Sequence, residues 1–188
     1  VKAVHDSEIA LVFVGSSSTA FVRHSNEPST SGEGIDLSDI SLTGAQEQLI
    51  RSVCATGKPV VVVLVAGKPF AIPYIKEKVP AILAQWYAGE QAGNSIADIL
   101  FGKVNPSGKL PFSFPQSTGH LPAYYNYLPT DKGYYKEPGT YTSPGRDYVF
   151  SSPAPLWTFG HGLSYTRFEY VQATTDKTSY QPHDTIRI

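Results

Sequence analysis

Lys58-Pro-Val-Val-Val-Val-Leu-Val-Ala-Gly-Lys-Pro69 is the stretch on which the fold turns. Its apolar run, Val60 to Val65, has no polar break and is bounded by Pro59 and Gly67. Valine is branched at Cβ, stiff about χ1 and suited to a pleated strand. The run is shorter than a typical helix, and its flanks are breakers. A strand with no polar face needs cover on both sides, as a central strand of a parallel α/β sheet has. Ligands of such sheets bind in the crevice beyond the carboxyl ends of the strands. Chemistry is therefore expected in the loops that leave the apolar strands.

Upstream, Ile9-Ala-Leu-Val-Phe-Val14 reads as a first buried strand, leaving through Gly15-Ser-Ser-Ser18. That turn is neither a GxGxxG nor a P-loop pattern, so a simple strand exit is preferred to a phosphate cradle. Thr19 to Leu42 is a long polar loop holding Arg23, His24, Glu27, Glu33, Asp36 and Asp39. Loops of this length within a compact domain tend to be functional. Thr43-Gly-Ala-Gln46 has the capping-box form. A helix is expected after it, with Ala45, Leu49, Ile50, Val53 and Cys54 on its inner face and Gly57 as its stop.

Downstream, Pro73–Lys78 is a short helix or turn, and Ala81-Ile-Leu-Ala-Gln-Trp86 is the next strand. Glu90–Phe101 is helical, with Ala92, Ile96, Ile99 and Leu100 inward and Gly102 as the stop. Glu90 is placed to favour that helix's N-terminus through its dipole. Lys109–Phe114 is an edge strand, the only kind that tolerates Pro111. The fold class is therefore α/β, a mostly parallel sheet with helices on both faces. Residues 1–115 form the sandwich domain, and 116–167 an ordered arm rich in Tyr, Pro and Gly. Residues 168–188 alternate like the opening strands of a β-sandwich.

The totals narrow the function. The 188 residues carry a net charge of −1, so no basic field recruits nucleic acid. A single cysteine, Cys54, permits no internal disulfide, and the 5 histidines show no metal-ligand spacing. Cys54 reads as a small packed residue on a helix. No run is long enough to insert in a membrane as a helix. No signal peptide opens the chain, which begins at Val1, and both ends read as cuts through a longer polypeptide.

Six segments in order carry a resemblance: Ser31-Gly-Glu-Gly34 before Asp36; Leu42-Thr-Gly-Ala-Gln-Glu47; Gly57-Lys-Pro59 through Ala66-Gly-Lys-Pro69; Trp86-Tyr-Ala-Gly-Glu90; Leu100-Phe-Gly-Lys-Val-Asn-Pro-Ser-Gly-Lys-Leu-Pro111; and Phe159-Gly-His-Gly-Leu-Ser-Tyr-Thr166. Together they resemble the second domain of glycoside hydrolase family 3, over nearly the whole chain. The resemblance implies an exo-acting, retaining β-glycosidase of the β-glucosidase or β-xylosidase kind, needing no cofactor and no metal. It implies a carbohydrate substrate and an N-terminal (β/α)8 barrel of the same polypeptide that supplies an aspartate nucleophile. It also implies a fibronectin-III-like domain beginning at residues 168–188, a periplasmic or secreted location, and it leaves room for a homodimer.

Retaining hydrolysis uses two carboxyl groups about 5–5.5 Å apart, a nucleophile and an acid/base. Glu33 occupies the family's acid/base position, on a loop where Gly32 and Gly34 let the backbone approach a sugar closely. Glu27, held extended by the following Pro28, is the runner-up. His24 and Arg23 are candidates to bond sugar hydroxyls, and Trp86 and Tyr87 to line a sugar subsite by stacking on a sugar face, although packing of the strand end suits them at least as well. The Tyr124–Tyr148 cluster suits packing between domains. Asp36 is expected to cap or brace the loop. The family often has Arg directly after that Asp, and Leu37 stands there, so the usual charge pair is missing. The rival readings are a non-catalytic carbohydrate-binding or structural domain of this fold, and a nucleotide-binding doubly wound domain. The latter is disfavoured because no glycine-rich turn runs from the first strand straight into a helix.

Overall fold

A computed structural model describes residues 1–18, 29–125, 142, 151, 152 and 154–187. The elements follow in the order α1 (Lys2–His5), β1 (Ala10–Gly15), α2 (Gln46–Cys54), β2 (Val60–Val65), α3 (Pro73–Lys78), β3 (Ala81–Ala84) and α4 (Ala92–Leu100), with a short 3-10 turn at Thr118–His120. Among the described residues the sheet is β1-β2-β3, parallel throughout. Val12 pairs with Val62, which pairs with Ile82. The valine run is thus the central strand, and Val62 and Val63, on its opposite faces, are both fully buried.

The main core lies on one face. Ala10, Val12 and Val14 of β1 and Val60, Val62 and Leu64 of β2 meet Ile50 and Val53 of α2 and Ile75 of α3. On the other face of β1 the alternation stays apolar but lies open: Ile9, Leu11 and Phe13 are about half exposed. α4 buries Ile96 alone; Ala92, Ile99 and Leu100 are half-buried.

Three local expectations are corrected. The first concerns the start of α2. Its N-cap is Ala45 with no side-chain cap bond, although Gln46 Nε2 still reaches back to Thr43, donating to its O at 3.0 Å and its Oγ1 at 3.3 Å. Gln46 Oε1 accepts from Gly15 N at 2.7 Å, and its Nε2 donates to Gly15 O at 3.0 Å. One amide thus ties Thr43, ahead of the helix, to the exit of β1. Leu49 and Ala45, expected inside, are exposed, which leaves α2 a narrower apolar stripe. Cys54 is half-buried against the core.

The second correction is that Lys109–Phe114 is not a strand of the sheet. It pairs instead with the segment after the arm: Leu110 N donates to His161 O (2.9 Å), Gly160 N to Leu110 O (2.7 Å) and Phe114 N to Trp157 O (2.8 Å). Phe114 and Trp157 form an isolated antiparallel bridge. The Phe159–Thr166 motif then clasps the Asn105–Gly108 turn. Tyr165 N donates to Asn105 Oδ1 at 2.8 Å and Ser164 Oγ to Pro106 O at 2.7 Å. The second glycine of this motif is needed for that approach, since a Cβ on Gly162 would stand 2.2 Å from Gly108 O.

The third correction concerns Asp36, which makes no hydrogen bond among the described residues. The loop is braced by packing: a Cβ on Gly32 would stand 3.0 Å from Leu37 Cδ1, so Leu37 fills the space beneath Gly32. The bracing carboxylate is Asp39, whose Oδ1 accepts from Ser41 N (2.8 Å) and whose Oδ2 accepts from Ser41 Oγ (2.9 Å).

Residues 168–187 contain no strand and are largely exposed, Tyr170 fully so. They are closed on themselves by Asp176, which accepts from Tyr180 Oη at 2.5 Å and whose backbone N donates to Arg187 O at 3.2 Å.

Candidate active site

The carboxyl ends of β1, β2 and β3 converge, and their exit loops build one edge of the molecule. β1 leaves through Gly15, where strand and neighbour run so close that a Cβ would lie 1.7 Å from Val65 O. Only glycine fits, and Ser16 N continues the contact by donating to Val65 O at 3.0 Å. Ser17 then ties down the loop that carries Glu33. Ser17 O accepts from Thr30 N (2.8 Å) and Ser31 N (3.0 Å), while Ser17 N donates to Thr30 Oγ1 (2.9 Å).

Glu33 follows on a turn closed by Ile35 N donating to Gly32 O at 3.1 Å. Gly32 and Gly34 hold φ of 82° and 75°, left-handed values that glycine adopts without steric cost. Glu33 N donates to Ser31 Oγ at 3.2 Å. The carboxylate is exposed, and Ser18 Oγ donates to its Oε2. Among the described residues it has no ion-pair partner. The carboxylate therefore sits beside the exit of β1, held by one hydroxyl and otherwise open to solvent. A hydroxyl suits a group that alternates between acid and base, because it donates to a carboxylate and accepts from a carboxylic acid. Beside the exit of β1 is an open cavity of about 410 Å³ lined by Phe13, Ser16, Ser17, Thr30, Gln46 and Val65 among others.

Of the other sequence-predicted site residues, Glu27, His24 and Arg23 lie outside the described residues. Trp86 stands at the exit of β3, half-buried, its ring edge-on to Phe112 at 5.4 Å and 6.1 Å from Phe114. Its surface is largely spent on that aromatic layer, which Trp157 extends with a T-shaped contact to Phe114 at 5.4 Å. Of the tyrosine cluster, Tyr125 stacks on Phe159 at 4.4 Å, and residues 126–141 and 143–148 lie outside the described residues. Ser18 is a contact of Glu33 that sequence reasoning missed, whereas Tyr87, expected with Trp86 to line a sugar subsite, hydrogen-bonds Ser16 through its hydroxyl. The serine run after β1 was visible, but nothing in its spacing says which serine meets a glutamate on a separate loop. Glu90 precedes the N-cap of α4, Gln91, and is exposed. Among the described residues no group of His, Cys, Asp and Glu gathers as metal ligands, and no helix is long and apolar enough to cross a membrane.

The profile of the Glycosyl hydrolase family 3 C-terminal domain matches residues 1–165. A β-xylosidase of Formosa agariphila is 38% identical over all of this chain and 23% of its own length. The periplasmic β-glucosidase of Salmonella typhimurium is 39% identical over 96% of this chain and 22% of its own. Among solved structures, the β-glucosidase of Listeria innocua in complex with isofagomine superposes with a TM-score of 0.79 at 34% identity, over 93% of this chain and 23% of that one. The chain thus spans less than a quarter of the length of these relatives.

Proposed function

This chain belongs to the Glycosyl hydrolase family 3 C-terminal domain family, and on that premise we propose that it is the acid/base-bearing domain of a retaining exo-β-glycosidase. Glu33 protonates the glycosidic oxygen as the leaving group departs, then takes a proton from the water that cleaves the glycosyl-enzyme. The nucleophile is an aspartate of an N-terminal barrel in the same polypeptide. The substrate is a terminal, non-reducing β-glucose or β-xylose unit, consistent with the names of the relatives. The enzyme works in the periplasm or outside the cell, consistent with the location in the Salmonella protein's name.

The observation that carries this reading is the glycine-hinged Glu33 turn, tied by Ser17 and Ser18 to the carboxyl edge of the sheet with its acid exposed. An acid held at that edge and left exposed by the described residues suits a site completed by a facing domain. The open apolar face of Ile9, Leu11 and Phe13 also supports a chain that packs on a further part of its polypeptide. The finer fold reading, with helices on both faces, an arm over 116–167 and a fibronectin-III-like start at 168–188, belongs to the same proposal.

The test is Glu33→Ala in the full-length enzyme with a dinitrophenyl β-glucoside and added azide. Azide needs no base, so it should restore turnover and yield the β-glycosyl azide. Loss of activity without rescue and without azide product speaks against the role. Tight oligosaccharide binding by an enzyme that the substitution leaves unaffected would favour the non-catalytic binding reading instead.

A further inference from the structure

We propose that Tyr87 is a positioning residue for Glu33, acting across the exits of all three strands; the inference rests on the acid/base reading of Glu33. The path begins with a backbone anomaly. Trp86 has φ of 60°, the only non-glycine residue with positive φ among those described. A bulky residue seldom adopts this conformation, and such strain persists only where the surroundings hold it. Here the aromatic layer of Phe112 and Phe114 holds the Trp86 ring. The reversal after β3 sends the next side chain, Tyr87, back over the exit of β2 toward the exit of β1.

Two contacts define where Tyr87 lands. Its ring packs against Gly67, where an added Cβ would stand 2.9 Å from Cε2. Its hydroxyl donates to Ser16 O at 3.0 Å and stands 3.0 Å from Ser16 Oγ, from which it accepts. Both capacities of the phenol are therefore spent on one residue of the strap. Ser16 is also anchored to β2 through Val65 O, Ser17 holds Thr30 and Ser31, and Ser18 donates to Glu33 Oε2. Tyr87 fixes the first link of a three-residue strap whose last link holds the acid. Displacing a reacting group by an ångström can cost about a hundredfold in rate. An acid on an exposed loop has few other restraints.

The experiment compares Tyr87→Phe, Gly67→Ala and Glu33→Ala in the full-length enzyme, using aryl β-glycosides of poor and activated leaving groups. Tyr87→Phe keeps the ring and removes only the hydroxyl; Gly67→Ala leaves the tyrosine intact and displaces its ring. Both should lower kcat/KM by about tenfold or more on poor leaving groups. Both should leave kcat/KM within about twofold on activated ones, where departure needs no acid. On activated substrates kcat and KM should fall together, because the base-dependent second step slows. A general loss of fold would lower both substrate classes alike. If Glu33→Ala shows the leaving-group split and the two variants do not, the positioning role is overturned alone. If Glu33→Ala shows no split, both readings fall.

Discussion

Lys68, in the exit loop of β2, carries an ammonium shielded from solvent with no hydrogen-bond partner among the described residues. The ring of Phe70 lies 5.3 Å from Nζ, within the range of a cation–π contact. Burial pushes the Lys68 pKa below the ordinary lysine value, and the Asp39 carboxylate pulls it partly back. The hydrogen bonds from Ser41, with Lys68 adding to them, hold Asp39 below the usual carboxylate range. The consequence for stability has a definite sign. Below the folded pKa of Lys68 both states keep the proton, and the cost of the buried charge is fully felt. Between that pKa and the unfolded value of about 10.4 the folded chain sheds its proton first, so stability rises with pH. Lys68→Met should therefore be more stable than the parent at neutral pH, on the order of 1 kcal/mol. Its advantage should shrink as the pH approaches 10.4. Urea unfolding at neutral and alkaline pH measures both. A variant less stable at neutral pH would show that the ammonium has a stabilising role.

At the scale of elements, the burial of α2 is narrower than its periodicity suggests. Ile50 is fully buried, whereas Leu49, its neighbour on the expected face, is 47% exposed. Ile50→Ala should cost about 3 kcal/mol, and Leu49→Ala less than about 0.5 kcal/mol, both read from denaturant midpoints at constant slope. Similar losses at the two sites would mean that α2 sits rotated from the arrangement described. The contrast also marks what was legible beforehand. β2 runs over Val60–Val65 as its unbroken valines demand, because burial on both faces leaves a sequence no alternation to hide. β1 was displaced by one residue, to Ala10–Gly15. α2 starts later than the Thr43–Gln46 pattern places it, and the Gln46 amide bonds Gly15, far away in sequence, as well as Thr43. Lys109–Phe114 pairs, as expected of an extended segment, but with residues 156–161 rather than the sheet. The glycines around Glu33 were legible because a tight turn needs them. The contact of Tyr87 with Ser16 was not, because it follows a reversal at Trp86 that no periodicity encodes.

At the scale of the molecule, three parallel strands leave toward one edge, where Glu33 is exposed among the described residues. A carboxylate this exposed cannot by itself discriminate a sugar or exclude water, so on the proposed reading another domain completes the pocket and Glu33 is the acid that its nucleophile requires. The most direct measurement is the dependence of log kcat/KM on leaving-group pKa for a series of aryl β-glycosides, in the full-length enzyme and its Glu33→Ala variant. The role proposed for Glu33 requires a shallow slope in the parent and a steep negative slope in the variant, the two lines meeting at the most acidic phenols, where no proton is needed. Parallel lines, with Glu33→Ala lowering every substrate by the same factor, would contradict it.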